Sequence, residues 1–294
     1  MTRLIIIGAN GQLGTDLETC FRQASSSYDV VPLTHKTIEL RDHIGVHELL
    51  TDLNPGLVLN TAAFHQVDQC ETEAESAFRV NALGVRNLAE ICSELGATLL
   101  HVSTDYVFGS EHDRRSAYRE MDTPQPINVY GNSKLAGEYF VQSIAPKHFI
   151  VRSSGLFGIA GSSGKGGNFI ETMLRLASEG REIKVVNDQR LSPTFTRDLA
   201  SKIAELIQSE EYGLYHLTST GDCTWYEFAS EIFQQAHIKA NLSPTTTDGF
   251  GARARRPRYS VLESERLDEI GLEPIRIWQE ALGEYLGLRE SSTK

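Results

Sequence analysis

The chain has 294 residues, 40% of them hydrophobic, enough to bury a sizeable core in one large domain or a dominant domain with a smaller lobe. Its 39 acidic against 28 basic side chains give a formal charge of -11, so no nucleic-acid partner is expected, because phosphate-backbone binding needs concentrated Lys and Arg. Cys20, Cys70, Cys92 and Cys223 are scattered without metal-ligand spacing, and no run approaches membrane-spanning length. The expectation is a cytoplasmic protein with reduced core thiols, no membrane partner and no metal ligands.

In chain order, apolar β-branched runs alternate with helical periodicity. Strands are predicted at Leu4–Ile7, Val30–Leu33, Leu57–Asn60, Thr98–Ser103 and Phe149–Arg152. Helices are predicted between them at Gly14–Gln23, Ile44–Leu53, Glu71–Leu95 and Ser133–Ile144. This alternation predicts an α/β, doubly wound parallel sheet of the Rossmann type, since right-handed crossovers put helices on both faces. Beyond residue 153 the regularity breaks. The glycine and serine stretch Gly158 to Gly167 reads as a mobile loop. Helices are predicted over Phe169–Ser178, Arg197–Gln208, Trp225–Gln235 and Ile277–Leu286. The expected division is a dinucleotide-binding domain over 1–153 and a smaller mixed α/β substrate lobe over 154–294, interleaved with the end of the sheet.

The first strand runs into Gly8-Ala9-Asn10-Gly11-Gln12-Leu13-Gly14 and then a helix. Such a turn lets the backbone approach a pyrophosphate, and the helix N-terminus offers it free N–H groups. The spacing is G-x-x-G-x-x-G rather than G-x-G-x-x-G, and in isolation a plain tight turn would explain it. Its place at the head of an alternating α/β chain points to a dinucleotide held by Gly8, Asn10, Gly11, Gln12, Leu13 and Gly14. An NAD site commonly ends its second strand with a carboxylate for the ribose 2′-hydroxyl. Here Leu33 is followed by Thr34-His35-Lys36, with no carboxylate until Glu39. His35 and Lys36 can meet a 2′-phosphate, so NADPH is the expected cofactor, with NADH usable; a solvated lysine on a loop is the alternative.

Tyr130 and Lys134 stand four apart, on one face of a predicted helix. A neighbouring ammonium favours the phenolate and brings a tyrosine, ordinarily near 10, toward the working range. Thr104, at the end of a predicted strand, can hydrogen-bond a substrate carbonyl and orient it for hydride attack; capping a turn is the lesser alternative.

Together, Thr104, Tyr130 and Lys134 resemble the Ser/Thr–Tyr–Lys triad of the extended short-chain dehydrogenase/reductases. More narrowly the chain is similar to the family of dTDP-4-dehydrorhamnose reductases. The matching stretches are Gly8 to Gly14 (GANGQLG), Asn60 to Ala63 (NTAA) with Val67-Asp68, Ser103 to Phe108 (STDYVF) and Tyr130 to Lys134. Shorter matches are Gly167-Asn168-Phe169, Asp188-Gln189 with Pro193-Thr194, Gly213 to His216, and Arg256-Pro257 with Ser260. The resemblance implies reduction of a nucleotide-linked C4 ketone, with Tyr130 as proton donor, Lys134 as its tuner and a ribose ligand, and Thr104 as carbonyl anchor. It implies that Asp105 touches substrate or positions Thr104, and that Asn81 supports the triad. Ala62 and Ala63 would leave room for the nicotinamide ribose. His65, Val67, Asn168, Phe169 and Arg256 would fall on the substrate side, Asn168 and Arg256 toward the diphosphate and base. An arginine fork suits a phosphate. A homodimer and a magnesium requirement are left open.

Two departures bear on the substrate. Where the family carries a tryptophan after Arg-Thr-Ser, this chain has Arg152-Ser153-Ser154-Gly155. The expectation is that another aromatic, Phe157 or Phe64, fills that space. After the alanines the family has Tyr-Thr, and here Phe64-His65 stands instead. The competing readings are a nucleotide-sugar epimerase or other 4-ketoreductase on the same fold, and a non-catalytic NADP-binding regulatory subunit. A dehydratase would need a second carboxylate after Asp105, where Tyr106 stands, and a regulatory subunit would be expected to have lost the triad.

Overall fold

Leu4, Ile5, Ile6 and Ile7 are all buried, an unbroken apolar run that only a strand covered on both faces can use. In the computed structural model, which describes residues 1–24, 28–161 and 167–293, this run is the core of β1 (Thr2–Ile7). The chain continues through α1 (Gln12–Ala24), β2 (Tyr28–Leu33), α2 (His43–Leu53), β3 (Leu57–Asn60), α3 (Val85–Leu95), β4 (Thr98–Thr104), α4 (Val129–Ile144) and β5 (His148–Ser153). α5 (Thr196–Leu206) and β6 (Gly213–His216) then return to the same sheet. The six strands are all parallel, in the order β6-β5-β4-β3-β1-β2. Each predicted strand lies within one of β1 to β5. β6 was not anticipated.

Strand alternation sorts the core into two layers. Leu4 and Ile6 pack with Leu17 and Phe21 of α1 and Leu199 and Ile203 of α5. Ile5 and Ile7 pack on the other face with Val46 and Leu50 of α2 and Leu88 and Ile91 of α3. Each such side chain contributes roughly 1.5–3 kcal/mol on full burial. The helices begin and end where the sequence supplies caps. The side chains of Asp42 and Asn128 accept from Gly45 N and Gly131 N, and Gly96 ends α3 at φ 67°.

The predicted helix over Glu71–Leu95 is broken. Ala74–Phe78 is helical, Arg79–Gly84 forms a π-helical turn, and α3 follows. Asn81 sits in that turn; its side chain bonds Phe64 N, Phe64 O and Ser133 Oγ, tying the segment after β3 to α4.

Beyond Ser153, the helices Phe169–Ser178, Trp225–Gln235 and Trp278–Thr293 enclose a second core around Phe157, Phe195, Phe228 and Leu282. Residues 162–166 of the glycine and serine stretch lie outside the described residues. Among the described residues no helix is long and apolar enough to cross a membrane.

Candidate active site

Going out from β1 the chain turns first to β2 on one side and then to β3 on the other. Ligands of open α/β sheets bind at the strand ends beside such a reversal. Here the Gly8–Gly14 turn and Thr61–Ala63 meet, with Thr61 N donating to Ile7 O at 3.0 Å. The turn is shaped for a close-approaching group. Gly8 has φ +83°, and a Cβ there would lie 2.7 Å from Thr61 Oγ1. A Cβ on Gly14 would run into the Gly8 carbonyl oxygen and lie 2.8 Å from Ala9 Cα. α1 starts at Gln12, directing its N-terminal N–H groups at the turn. These residues fit a dinucleotide pyrophosphate.

Two clefts join there, sharing Gly11, Thr61, Ala63 and His65. The first, about 530 Å³, extends from Gly8 and Asn10 past Ala62 to Thr34, His35, Glu39 and Arg41. Lys36 is exposed and does not line it, whereas His35 does. The cation beside His35 is Arg41, held by Glu39 through Nε and Nη2 at 3.0 and 2.8 Å. The second cleft, about 300 Å³, carries Gln12, Leu13 and Gly14 at one side and Val67, Thr104, Asp105, Tyr130 and Lys134 at its floor. Gln189, Arg190, Trp225 and Pro257 close its far side.

β4 ends on Thr104, and α4 carries Tyr130 and Lys134 over the sheet. Tyr130 hydrogen-bonds Thr104, and its ring meets that of Tyr106 edge-on at 5.9 Å. Burial pushes the Tyr130 phenol well up, against the opposing bond from Thr104. The expected lowering by Lys134 is therefore corrected. Lys134 Nζ donates to Val102 O at 2.7 Å and lies 3.1 Å from His101 Nε2, and burial pulls its ammonium down to about 7. As an acid, a raised tyrosine has the right form, because it keeps its proton at neutral pH.

Asp105 is buried and accepts from Thr104 Oγ1 at 3.1 Å, Ser154 Oγ at 2.9 Å and Ser260 Oγ at 2.6 Å. Burial raises its carboxyl to about 6, with the three hydroxyls pulling the other way. His65 lies between the clefts, with Nδ1 3.3 Å from Ala63 O.

Three substrate-side expectations are corrected. Asn168 caps the helix Phe169–Ser178 through Glu171 N, and its amide donates to Gly158 O and Tyr285 Oη at 3.0 Å each, so no amide hydrogen remains for a nucleotide phosphate. Phe169 packs on Trp225 and Phe228 at 4.7 and 5.6 Å, outside the cleft. Arg256 spends its fork on Asp68, at 3.1 and 2.9 Å, and bonds Tyr106. The guanidinium that does line the cleft is Arg190, held by Asp222 and Glu227 at 2.6 and 3.1 Å. Nor do the predicted aromatics stand in for the missing tryptophan. Phe157 stacks on Phe195 in the second core, and Phe64 lines the first cleft. Trp225, Arg190 and Gln189 were missed. Only the Asp188-Gln189 match and the aromatic opening a capped helix signalled them, and neither says which way a side chain points. Among the described residues no group of three or more His, Cys, Asp or Glu is arranged to hold a metal ion.

A family model, the RmlD substrate binding domain, matches residues 1–290. The chain is 39% identical to the spore coat polysaccharide biosynthesis protein SpsK of Bacillus subtilis, covering 99% of each. It is 36% identical to the dTDP-4-dehydrorhamnose reductase of Escherichia coli, over 90% of this chain and 91% of that one. Its fold matches a crystal structure of dTDP-4-dehydrorhamnose reductase from Bacillus anthracis in complex with NADP. The TM-score is 0.90 at 41% identity, covering 97% of this chain and 98% of the other.

Proposed function

Since the chain belongs to the family of the RmlD substrate binding domain, we propose that it reduces the C4 ketone of a dTDP-linked 4-keto-6-deoxysugar, converting dTDP-4-dehydrorhamnose to dTDP-L-rhamnose. The observation that carries this reading is the convergence of Thr104, Tyr130 and Lys134 on the floor of a cleft continuous with the glycine turn. A reduced nicotinamide cofactor supplies the hydride. Gly8, Asn10, Gly11 and Gly14 would hold its phosphates, and Ala62, Ala63 and Lys134 its nicotinamide ribose. His35 and Arg41 favour the 2′-phosphate of NADPH over NADH. We assign residues 1–153 mainly to the cofactor and 154–294 to the sugar nucleotide, in a cytoplasmic enzyme.

Tyr130 donates its proton to the ketone oxygen as that oxygen gains charge. Thr104 orients the carbonyl, and Asp105 orients Thr104. For Thr104 to donate to the carbonyl its hydroxyl must turn from Asp105, which costs least when Asp105 itself carries the proton and can donate back. Trp225 offers the sugar nucleotide an apolar face.

The test is incubation of the purified protein with NADPH and dTDP-4-dehydrorhamnose, followed by loss of reduced-nicotinamide absorbance and by identification of the product. A second reading, a reductase of a different dTDP-4-keto sugar, is favoured by Gly155, which leaves the sugar without a ring at that point. Turnover of such a sugar with none of the rhamnose precursor would decide for it. Cofactor binding with no turnover of any keto sugar would decide for a regulatory subunit.

A further inference from the structure

Tyr106 is the aromatic neighbour of the proton donor. Its ring meets that of Tyr130 edge-on at 5.9 Å, and its hydroxyl accepts from the Arg256 guanidinium. Asp68 holds Arg256 in turn, with Nη1 donating to Oδ1 at 3.1 Å and Nη2 to Oδ2 at 2.9 Å. Asp68 Oδ1 also accepts from Ala254 N at 2.9 Å, so one carboxylate grips both the backbone and the side chain of a short segment. Asn128 holds the residue between, donating to Arg255 O at 2.8 Å, while its Oδ1 caps the first turn of α4 at Gly131 N. The helical turn Val67–Cys70 that carries Asp68 is followed by Glu71, whose carboxylate accepts from Val129 N at 2.8 Å. Three segments far apart in the chain, 67–71, 128–131 and 254–256, therefore close a ring of hydrogen bonds at the Tyr130 end of α4.

We propose that Asp68 and Arg256 form a clasp that fixes Tyr106 and, through it, the Tyr130 phenol at the floor of the cleft, making both of them positioning residues for the reduction. The proposal rests on the reading of the site as a reductase. Neither Asp68 nor Arg256 lines a cleft, whereas Tyr106 does, so the pair acts through Tyr106. Stability is a poor reason for the pair: the Asp68 side chain is 50% exposed, and ion pairs open to water add little to folding. What a fork held at both Nη atoms supplies is direction, because a planar guanidinium so gripped cannot swing about a single bond.

The backbone transmits that direction. A Cβ on Gly131 would run into the Tyr106 carbonyl oxygen, so the turn Asp105–Val107 and the first turn of α4 lie in contact with no slack between them. Once Arg256 lets go of Tyr106, the Tyr130 ring loses the edge it rests on and its hydroxyl moves relative to Thr104. Proton transfer depends steeply on such placement, and binding of the sugar nucleotide much less.

Asp68→Asn isolates the clasp from the rest of the ring. Its Oδ1 still accepts from Ala254 N, but an amide NH₂ replaces Oδ2 and faces Arg256 Nη2, donor against donor. We expect kcat to fall about ten- to a hundredfold, with KM for the sugar nucleotide within about twofold and the calorimetric affinity and stoichiometry of NADPH unchanged. Arg256→Lys, which keeps the charge and loses the fork, should behave alike. Tyr106→Phe keeps the ring and removes the acceptor, so adding Asp68→Asn to it should cost no further turnover. Full multiplication of the two losses in the double variant overturns the proposal, as does a loss in Asp68→Asn that falls on KM or on NADPH stoichiometry instead of kcat. A further readout needs neither substrate nor turnover. In arginine-labelled, unliganded protein the Arg256 Nη hydrogens should give separate ¹H–¹⁵N signals in the natural chain, because the fork stops their rotation, and averaged ones in Asp68→Asn. Averaged signals in the natural chain overturn the clasp. Failure of the reductase reading would show separately, as an inactive natural protein with its Arg256 signals resolved.

Discussion

Gly155 backs onto Leu191: a Cβ on Gly155 would lie 2.7 Å from Leu191 Cδ1 and 3.1 Å from Pro193 Cα. Its φ of +55° lies in the left-handed region, where side chains are strained whatever the space. Installing an aromatic ring here therefore cannot restore a sugar-stacking face. We expect Gly155→Ala to destabilise the protein by about 1–3 kcal/mol and Gly155→Trp by more, with kcat/KM falling in both. Thermal melts and steady-state kinetics check this, and a Trp variant with a lowered KM and an unchanged Tm would contradict the geometry.

Tyr130→Phe removes the proton donor and leaves the ring against Tyr106. Turnover should fall about a hundredfold to ten-thousandfold, while NADPH affinity, measured by calorimetric titration, stays within a few-fold. Near-normal turnover would remove Tyr130 from the chemistry.

Asp105 supplies a stability signature with a definite sign. Its carboxyl is raised from 3.8 to about 6 by burial, so the folded state favours the protonated form. Stability from this group is fully present below 3.8 and is lost as pH rises through about 6. Asp105→Asn cannot ionise and escapes that loss. The natural protein should lose about 3 kcal/mol relative to the variant across this window, and the difference should then stay flat to neutrality. Urea unfolding of both proteins through the window is the measurement; a difference independent of pH would mean that Asp105 titrates as an ordinary carboxyl.

The strands and the triad could be read from the sequence because their signals are local. Leu4 to Ile7 can be continuous only in a doubly covered sheet, and Tyr130 and Lys134 share a face by spacing alone. β6 could not be read, since four residues at Gly213–His216 become a strand only because β5 offers an open edge. Arg256 and Asn168 misled for one shared reason. A sequence shows that a polar group exists but not that Asp68 or a helix cap already satisfies it. His101 was invisible inside an apolar strand, and its relation to Lys134 depends on the register of β4 beneath α4.

A buried ion pair lies beneath the site, between α4 and β5. Arg152 donates to Glu138 through Nε at 3.0 Å and Nη2 at 2.6 Å, with side chains 2% and 1% exposed. Ser103 also donates to Glu138, and Arg152 Nη1 lies 3.3 Å from His216 Nε2. His216 accepts there, because its Nδ1–H is directed at Tyr118 O at 3.0 Å, and burial beside Arg152 lowers its pKa to about 4. Removing one charge strands the other in the interior. Glu138→Leu and Arg152→Met should each lose about 3–5 kcal/mol of unfolding free energy. Together, Glu138→Leu and Arg152→Met exchange two desolvated charges for apolar contacts and should lose much less than the sum of the single losses. The hydroxyl of Ser103 would be left without its acceptor, which retains a cost of about 1–3 kcal/mol. Glu138 is one turn from Lys134 and Ser103 adjoins Thr104, so the double variant should fold yet turn over more slowly. Equilibrium unfolding of the four proteins gives the coupling energy directly. Single variants within about 1 kcal/mol of the natural protein would mean that water reaches the pair.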